Sequence, residues 1–97
     1  MSWSYEMDLI ELLMGEDMSF VEVSQVFCNK DHQAKKALSH YWKSEIIVFH
    51  ENGENLADWK IQEILRDEHP ITNYPEVLVS LTPKGDKAFN DGTWDQI

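Results

Sequence analysis

Apolar residues recur along the chain at spacings that change from helical to strand-like and back. Trp3, Met7, Ile10 and Met14 follow one another at three- and four-residue intervals, with Leu9 and Leu13 beside them. That spacing predicts a helix over about 3–14, stopped by Gly15, with Glu6 and Asp8 on its solvent side. Ser19 and Glu22 have the form of a capping box, and Phe20, Val23, Val26 and Phe27 then share one side of a helix over about 20–28. The density of β-branched and aromatic residues at 20–23 also suits a short strand. The three-to-four spacing carried on by Val26 and Phe27 favours the helix.

Asp31 is positioned as N-cap of a third helix, about 31–44. Its apolar face is Ala34, Ala37, Leu38 and Tyr41, and Leu38 is expected to be buried. Lys36, His40 and Lys43 fall on another face, with Gln33 nearby. Ile46-Ile47-Val48-Phe49 predicts a strand over about 46–50, and Asn52-Gly53 marks a turn. Asn55 is placed to cap a fourth helix, about 56–68. Ala57, Ile61, Ile64 and Leu65 make its buried side, Leu56 or Trp59 lies at the margin, and it ends before Pro70. Pro70 and Pro75 bracket an irregular stretch. Val77, Val79 and Leu81 alternate with Leu78 and Ser80, which predicts a strand over about 76–81. Thr82 as cap and Pro83 at the first helical position open a last helix, about 83–91, which Asn90-Asp91-Gly92 stops.

Composition narrows the class. Ninety-seven residues, 42% of them hydrophobic, make one domain with enough apolar material for a core. No apolar run approaches the roughly 20 residues that span a bilayer. Met1 is not followed by a basic segment and an apolar stretch, so no signal peptide is expected. A single cysteine, Cys28, forms no internal disulfide; it is expected as a small buried residue, in a cytoplasmic protein.

The formal net charge is −10, which at long range repels nucleic acid. The charge is unevenly spread, however. Residues 1–29 carry six acidic side chains and no Lys or Arg, and residues 45–97 carry eleven acidic against four basic. Residues 30–44 carry Lys30, Lys35, Lys36 and Lys43 against Asp31 alone. The one basic stretch coincides with the third helix.

Two helices joined by a short turn, the second with a basic face, have the order of a helix-turn-helix. The segment Leu81-Thr82-Pro83-Lys84-Gly85 resembles the end of the wing in winged-helix transcription regulators of the MarR and PadR type, where a Leu-Thr-x-x-Gly-like stretch closes the last wing strand and opens a helix. The resemblance covers roughly residues 5–50 by element order and 76–92 by order and motif. Gly92-Thr93-Trp94 also looks somewhat like small phage-associated winged-helix proteins of the YjcQ kind. The fold class implied is α+β: a winged helix-turn-helix, mostly helical, with a small antiparallel sheet and an inserted helix before the last strand. The insertion, residues 51–75, departs from a compact wing. It holds only Lys60 and Arg66 among six acidic residues.

The resemblance implies that the third helix enters the major groove of double-stranded DNA, with Gln33, Lys36, His40 and Lys43 toward base edges or phosphates. Lys30 and Lys35 complete the set of candidate contacts. Gln pairs bidentately with adenine, and Lys serves guanine or phosphate. The competing reading of the same residues is a solvated lysine face.

Other chemistry has little support. His32, His40, His50 and His69 form no close ligand pair, and Cys28 is separated from His32 by a turn, so no metal, cofactor or nucleophile–base pair is expected. Glu63, Asp67 and Glu68 are carboxylates on a polar helix side without apolar surroundings. Phosphate-loop, dinucleotide and serine-elbow motifs are absent, and no enzymatic activity is expected. Trp3, Trp42, Trp59 and Trp94 either fill the small core or form an interface; Trp3 and Trp94, near the two termini, would pair across a homodimer. Two functions follow: a DNA-binding transcriptional regulator, or a protein–protein interaction module whose acidic surface takes a basic protein partner.

Overall fold

The computed structural model describes residues 5–66 and 68–92. The elements are α1 (Tyr5–Gly15), β1 (Met18–Ser19), α2 (Phe20–Val26), α3 (Asp31–Lys43), β2 (Ile47–Glu51), β3 (Glu54–Asn55), α4 (Asp58–Arg66), a 3₁₀ turn (Ile71–Asn73), β4 (Val77–Leu81) and α5 (Pro83–Asn90). The fold is α+β, with, among the described residues, five helices and one antiparallel sheet of four strands in the order β1-β4-β2-β3.

β2 and β4 form the centre of the sheet. Ile47 lies opposite Leu81, Phe49 opposite Val79 and Glu51 opposite Val77. Paired residues of an antiparallel sheet share a face, so Ile47, Phe49, Val77 and Val79 all point inward and are buried. Met18 of β1 joins that face opposite Val79. The helices supply the rest of the core: Leu9, Ile10 and Leu13 from α1, Phe20, Val23 and Phe27 from the α2 region, Ala34, Leu38 and Tyr41 from α3, and Ile61 and Ile64 from α4. The rings of Phe20 and Phe49 meet edge to face, 5.8 Å between centroids.

Several local signals act as the sequence predicts. Ser19 caps α2 reciprocally: its hydroxyl accepts from the Glu22 amide at 3.3 Å, and its amide donates to Glu22 Oε1 at 3.2 Å. Asn52 and Gly53, at φ +53° and +82°, form the two-residue loop of the β2–β3 hairpin. Thr82 caps α5 by accepting from the Gly85 amide at 3.0 Å.

Other expectations are corrected. The buried face of α1 is Leu9, Ile10 and Leu13, while Met14 is exposed, so the stripe is rotated toward the residues that flank the expected one. Asp31 is the first residue of α3 and not its cap; its carboxylate is drawn instead to a distant strand of chain. Asn55 does not cap α4. It lies in β3 opposite His50 of β2, and α4 starts at Asp58. Ala57 is exposed, ahead of the helix. Cys28 is exposed rather than buried, because the α2–α3 turn places it and Asn29 at φ +54° and +63°. Trp59 is 67% exposed and fills no core. Trp3 and Trp94 lie outside the described residues, as do Ser4 in the helix expected from residue 3, Asp67 in the helix expected to reach 68, and the Thr93-Trp94 pair.

Candidate nucleic-acid interface

α3 presents two chemically distinct faces. Ala34, Ala37, Leu38 and Tyr41 are buried against the core. Gln33, Lys36, His40 and Lys43 are all exposed and, at intervals of three and four residues, fall in one line along the outer face. At about 1.5 Å of rise per residue the line from Gln33 to Lys43 is about 15 Å long. Asp31 in the first turn and His40 and Lys43 in the last match the helix dipole at both ends. The predicted stripe is therefore present as a continuous surface.

Of the six predicted contact residues, the four lysines divide into three kinds. Lys35 is turned inward and is only 8% exposed. Its ammonium donates to the His69 carbonyl at 2.5 Å and pairs with Asp31 Oδ2 at 3.1 Å. Asp31 Oδ1 in turn accepts the Ile71 amide at 2.8 Å. Lys35 and Asp31 thus fasten the stretch after α4 to α3, and Lys35 leaves the set of surface contacts. Lys30 lies in the α2–α3 turn with its ammonium 5.4 Å from the centre of the Tyr5 ring, a cation–π arrangement. Lys36 and Lys43 are exposed and form no ion pair among the described residues.

The inserted segment changes the surroundings of α3. α4 packs alongside it, and between the two runs an open groove of about 740 Å³. Half-buried Trp42 lines the groove with Lys36 and Lys43 from α3 and Gln62, Leu65 and Arg66 from α4. Arg66 is exposed, its Nε donating to the Gln62 carbonyl at 3.3 Å, and it too has no ion pair among the described residues. Asp31 and Glu68 are the acidic residues that line the groove among the described residues. Arg66 was absent from the candidate contacts because its neighbours in sequence are acidic; its position at the end of a helix with buried Ile61 and Ile64 was the available signal.

No protein-family model, curated protein or solved structure matches the chain.

On the other side of α3 a recess of about 440 Å³ is lined by Glu6, Gln33, Lys36, Ala37, His40 and Tyr41. Burial, and secondarily the charge of Glu6, push the Tyr41 phenol up from 10.0 to about 12. The β2–β3 hairpin contrasts with α3: Glu51 and Glu54 face each other across the strands, beside the exposed Asn52-Gly53 tip.

One cluster has the residue types of a nucleophilic triad. His50 Nε2 lies 2.6 Å from Ser80 Oγ and 3.4 Å from Asp17 Oδ2. Both partners meet the same ring nitrogen. A relay needs the carboxylate on one nitrogen and the hydroxyl on the other, so this arrangement links the α1–β1 connection to the sheet without activating Ser80. Among the described residues no group of three His, Cys, Asp or Glu side chains converges as a metal site, and no helix is long and apolar enough to cross a membrane.

Proposed function

We propose that the chain is a non-enzymatic, DNA-binding winged-helix protein, a transcriptional regulator that reads double-stranded DNA with α3. The observation that carries this reading is the outer face of α3, where Gln33, Lys36, His40 and Lys43 stand in one exposed line and both lysines lack a carboxylate partner among the described residues. The fold order supports it. A helix, a short strand, two helices across a turn, then strands in the order β1-β4-β2 is the succession expected of a winged helix, with β3, α4 and the 3₁₀ turn inserted where a wing tip would stand. The overall charge of −10 opposes non-specific adhesion to DNA, and a local positive strip is what a specific binder with that total would need. Titration of a fluorescent duplex library across ionic strength tests the reading. Affinity that falls steeply with salt supports it, and absence of binding at low salt rejects it.

A second reading is favoured by a different observation. Trp59 stands 67% exposed on α4, beside a shallow recess it shares with Glu51 and Glu54 of the hairpin. An exposed tryptophan next to paired carboxylates suits a basic protein partner. On that reading Trp59→Ala abolishes partner binding while leaving any DNA affinity intact.

A further inference from the structure

We infer that the inserted helix α4 replaces the wing as the second DNA-contacting element, with Arg66 taking a phosphate of the backbone that flanks the major groove entered by α3. The inference rests on the DNA-binding reading of α3 and extends it to a residue on another element. A helix that enters the major groove is held in register by contacts to the phosphates beside it. The hairpin here is unsuited to such a phosphate contact: Glu51 and Glu54 are opposed beside its Asn52-Gly53 tip, and residues 51–57 contain no Lys or Arg. Two carboxylates at that position repel a phosphate.

α4 supplies what the hairpin does not. Arg66 lies across the same groove as Lys36 and Lys43, so three cations from two helices border one open channel. None of the three is neutralised by an ion pair among the described residues. The other cations near α3 are committed: Lys35 to Asp31 and the His69 carbonyl, Lys84 to the Ser44 carbonyl at 3.0 Å. Of the two acidic residues that line the channel among the described residues, Asp31 is itself held by Lys35 and the Ile71 amide, and Glu68 stands beside the three cations without an ion pair. Because Arg66 donates from Nε to its own helix, the terminal guanidinium nitrogens remain for a phosphate. The anchoring of the chain after α4 by Asp31 and Lys35 sets α4 at a fixed place beside α3, so the Arg66 contact needs no ordering of a loop on binding.

The test compares the salt dependence of duplex affinity for the full chain, for Arg66→Ala, and for Lys87→Ala on α5 as a cation outside the channel. Arg66→Ala is expected to weaken binding severalfold at low salt and to lower the slope of log affinity against log salt by about 0.9, the loss of one phosphate contact. Lys87→Ala should leave the slope unchanged. An unchanged slope for Arg66→Ala, or an equal fall for Lys87→Ala, overturns the role of α4 while leaving α3 as the DNA-binding helix. Failure of the unmodified chain to bind any duplex overturns the α3 reading itself, and this inference with it. Circular dichroism melting of Arg66→Ala, expected to match the unmodified chain, separates lost contact from lost fold.

Discussion

The carbonyl oxygen of Ile46 lies 2.5 Å from the point where a Cβ on residue 85 would stand. The same oxygen accepts the Thr82 amide at 2.9 Å, and the Thr82 hydroxyl lies 2.6 Å from the Glu45 carbonyl and 3.0 Å from that of Ile46. The Leu81–Gly85 motif is therefore a lock on the α3–β2 connection. Thr82 satisfies carbonyls that the turn at Glu45, with φ +63°, leaves open, and Gly85 lets α5 lie directly on them.

Gly85→Ala should accordingly destabilise the fold, although alanine is the better helix former. The displaced backbone oxygen has no flexible end to yield, and overpacking of this kind costs about 1–3 kcal/mol. Urea unfolding measures it. A neutral or stabilising result would show that α5 can lift off the Ile46 carbonyl at no cost.

Leu38→Ala should cost about 2–5 kcal/mol, because Leu38 is fully buried at the centre of α3. On the DNA-binding reading its effect on duplex affinity, measured below the melting transition, should be small beside its effect on stability.

Lys36→Glu with Lys43→Glu should do the reverse. Both side chains are exposed, so stability is expected to stay within about 0.5 kcal/mol while duplex binding disappears. Anisotropy titration and thermal melting of the same preparation check the two halves together. Retained binding would return the stripe to the status of a solvated face.

Asp31→Ala should destabilise by about 2–4 kcal/mol, since it leaves the Lys35 ammonium without its carboxylate and the Ile71 amide without its acceptor. Asp31→Ala combined with Lys35→Met should recover part of that loss. A loss for the double variant equal to the sum of the two single losses would show that the two side chains act independently.

Alkaline titration should single out Tyr41, whose phenol is raised from 10.0 to about 12. The folded value lies above the unfolded one, so the contribution to stability is complete below pH 10 and declines as pH climbs toward 12. The amount at stake is about 2–3 kcal/mol. The phenolate absorbance of the folded protein should lose its latest-titrating component in Tyr41→Phe. A Tyr41 that ionises near pH 10 in the folded protein would contradict its burial beside Glu6.

Much of the architecture was legible from local rules. The Ser19 capping box, the Asn52-Gly53 turn and the Thr82-Pro83 helix start all depend on neighbours within a few residues, and each is found as read. The failures share a different cause. Asp31 has the look of a cap, but Ile71, forty residues away, claims one of its oxygens. Lys35 has the look of a surface lysine, yet the His69 carbonyl and Asp31 hold it inside. The strands β1 and β3 have two residues each, too few to show alternation, and exist through pairing with β4 and β2. The α3 stripe was readable because exposure on a helix follows from spacing. The groove with Arg66 was not, because it requires knowing that α4 returns to α3.

The buried Lys35 also bears on transplantation. A helix is movable between scaffolds as a cassette only if the partners of its inward-facing polar groups move with it. Here the cassette carries an ammonium that needs the carbonyl of His69 and a carboxylate whose other oxygen needs the amide of Ile71. Moved alone, α3 would bring two unmet demands into a foreign core. Its minimal portable unit is the helix together with the 69–71 strand of chain.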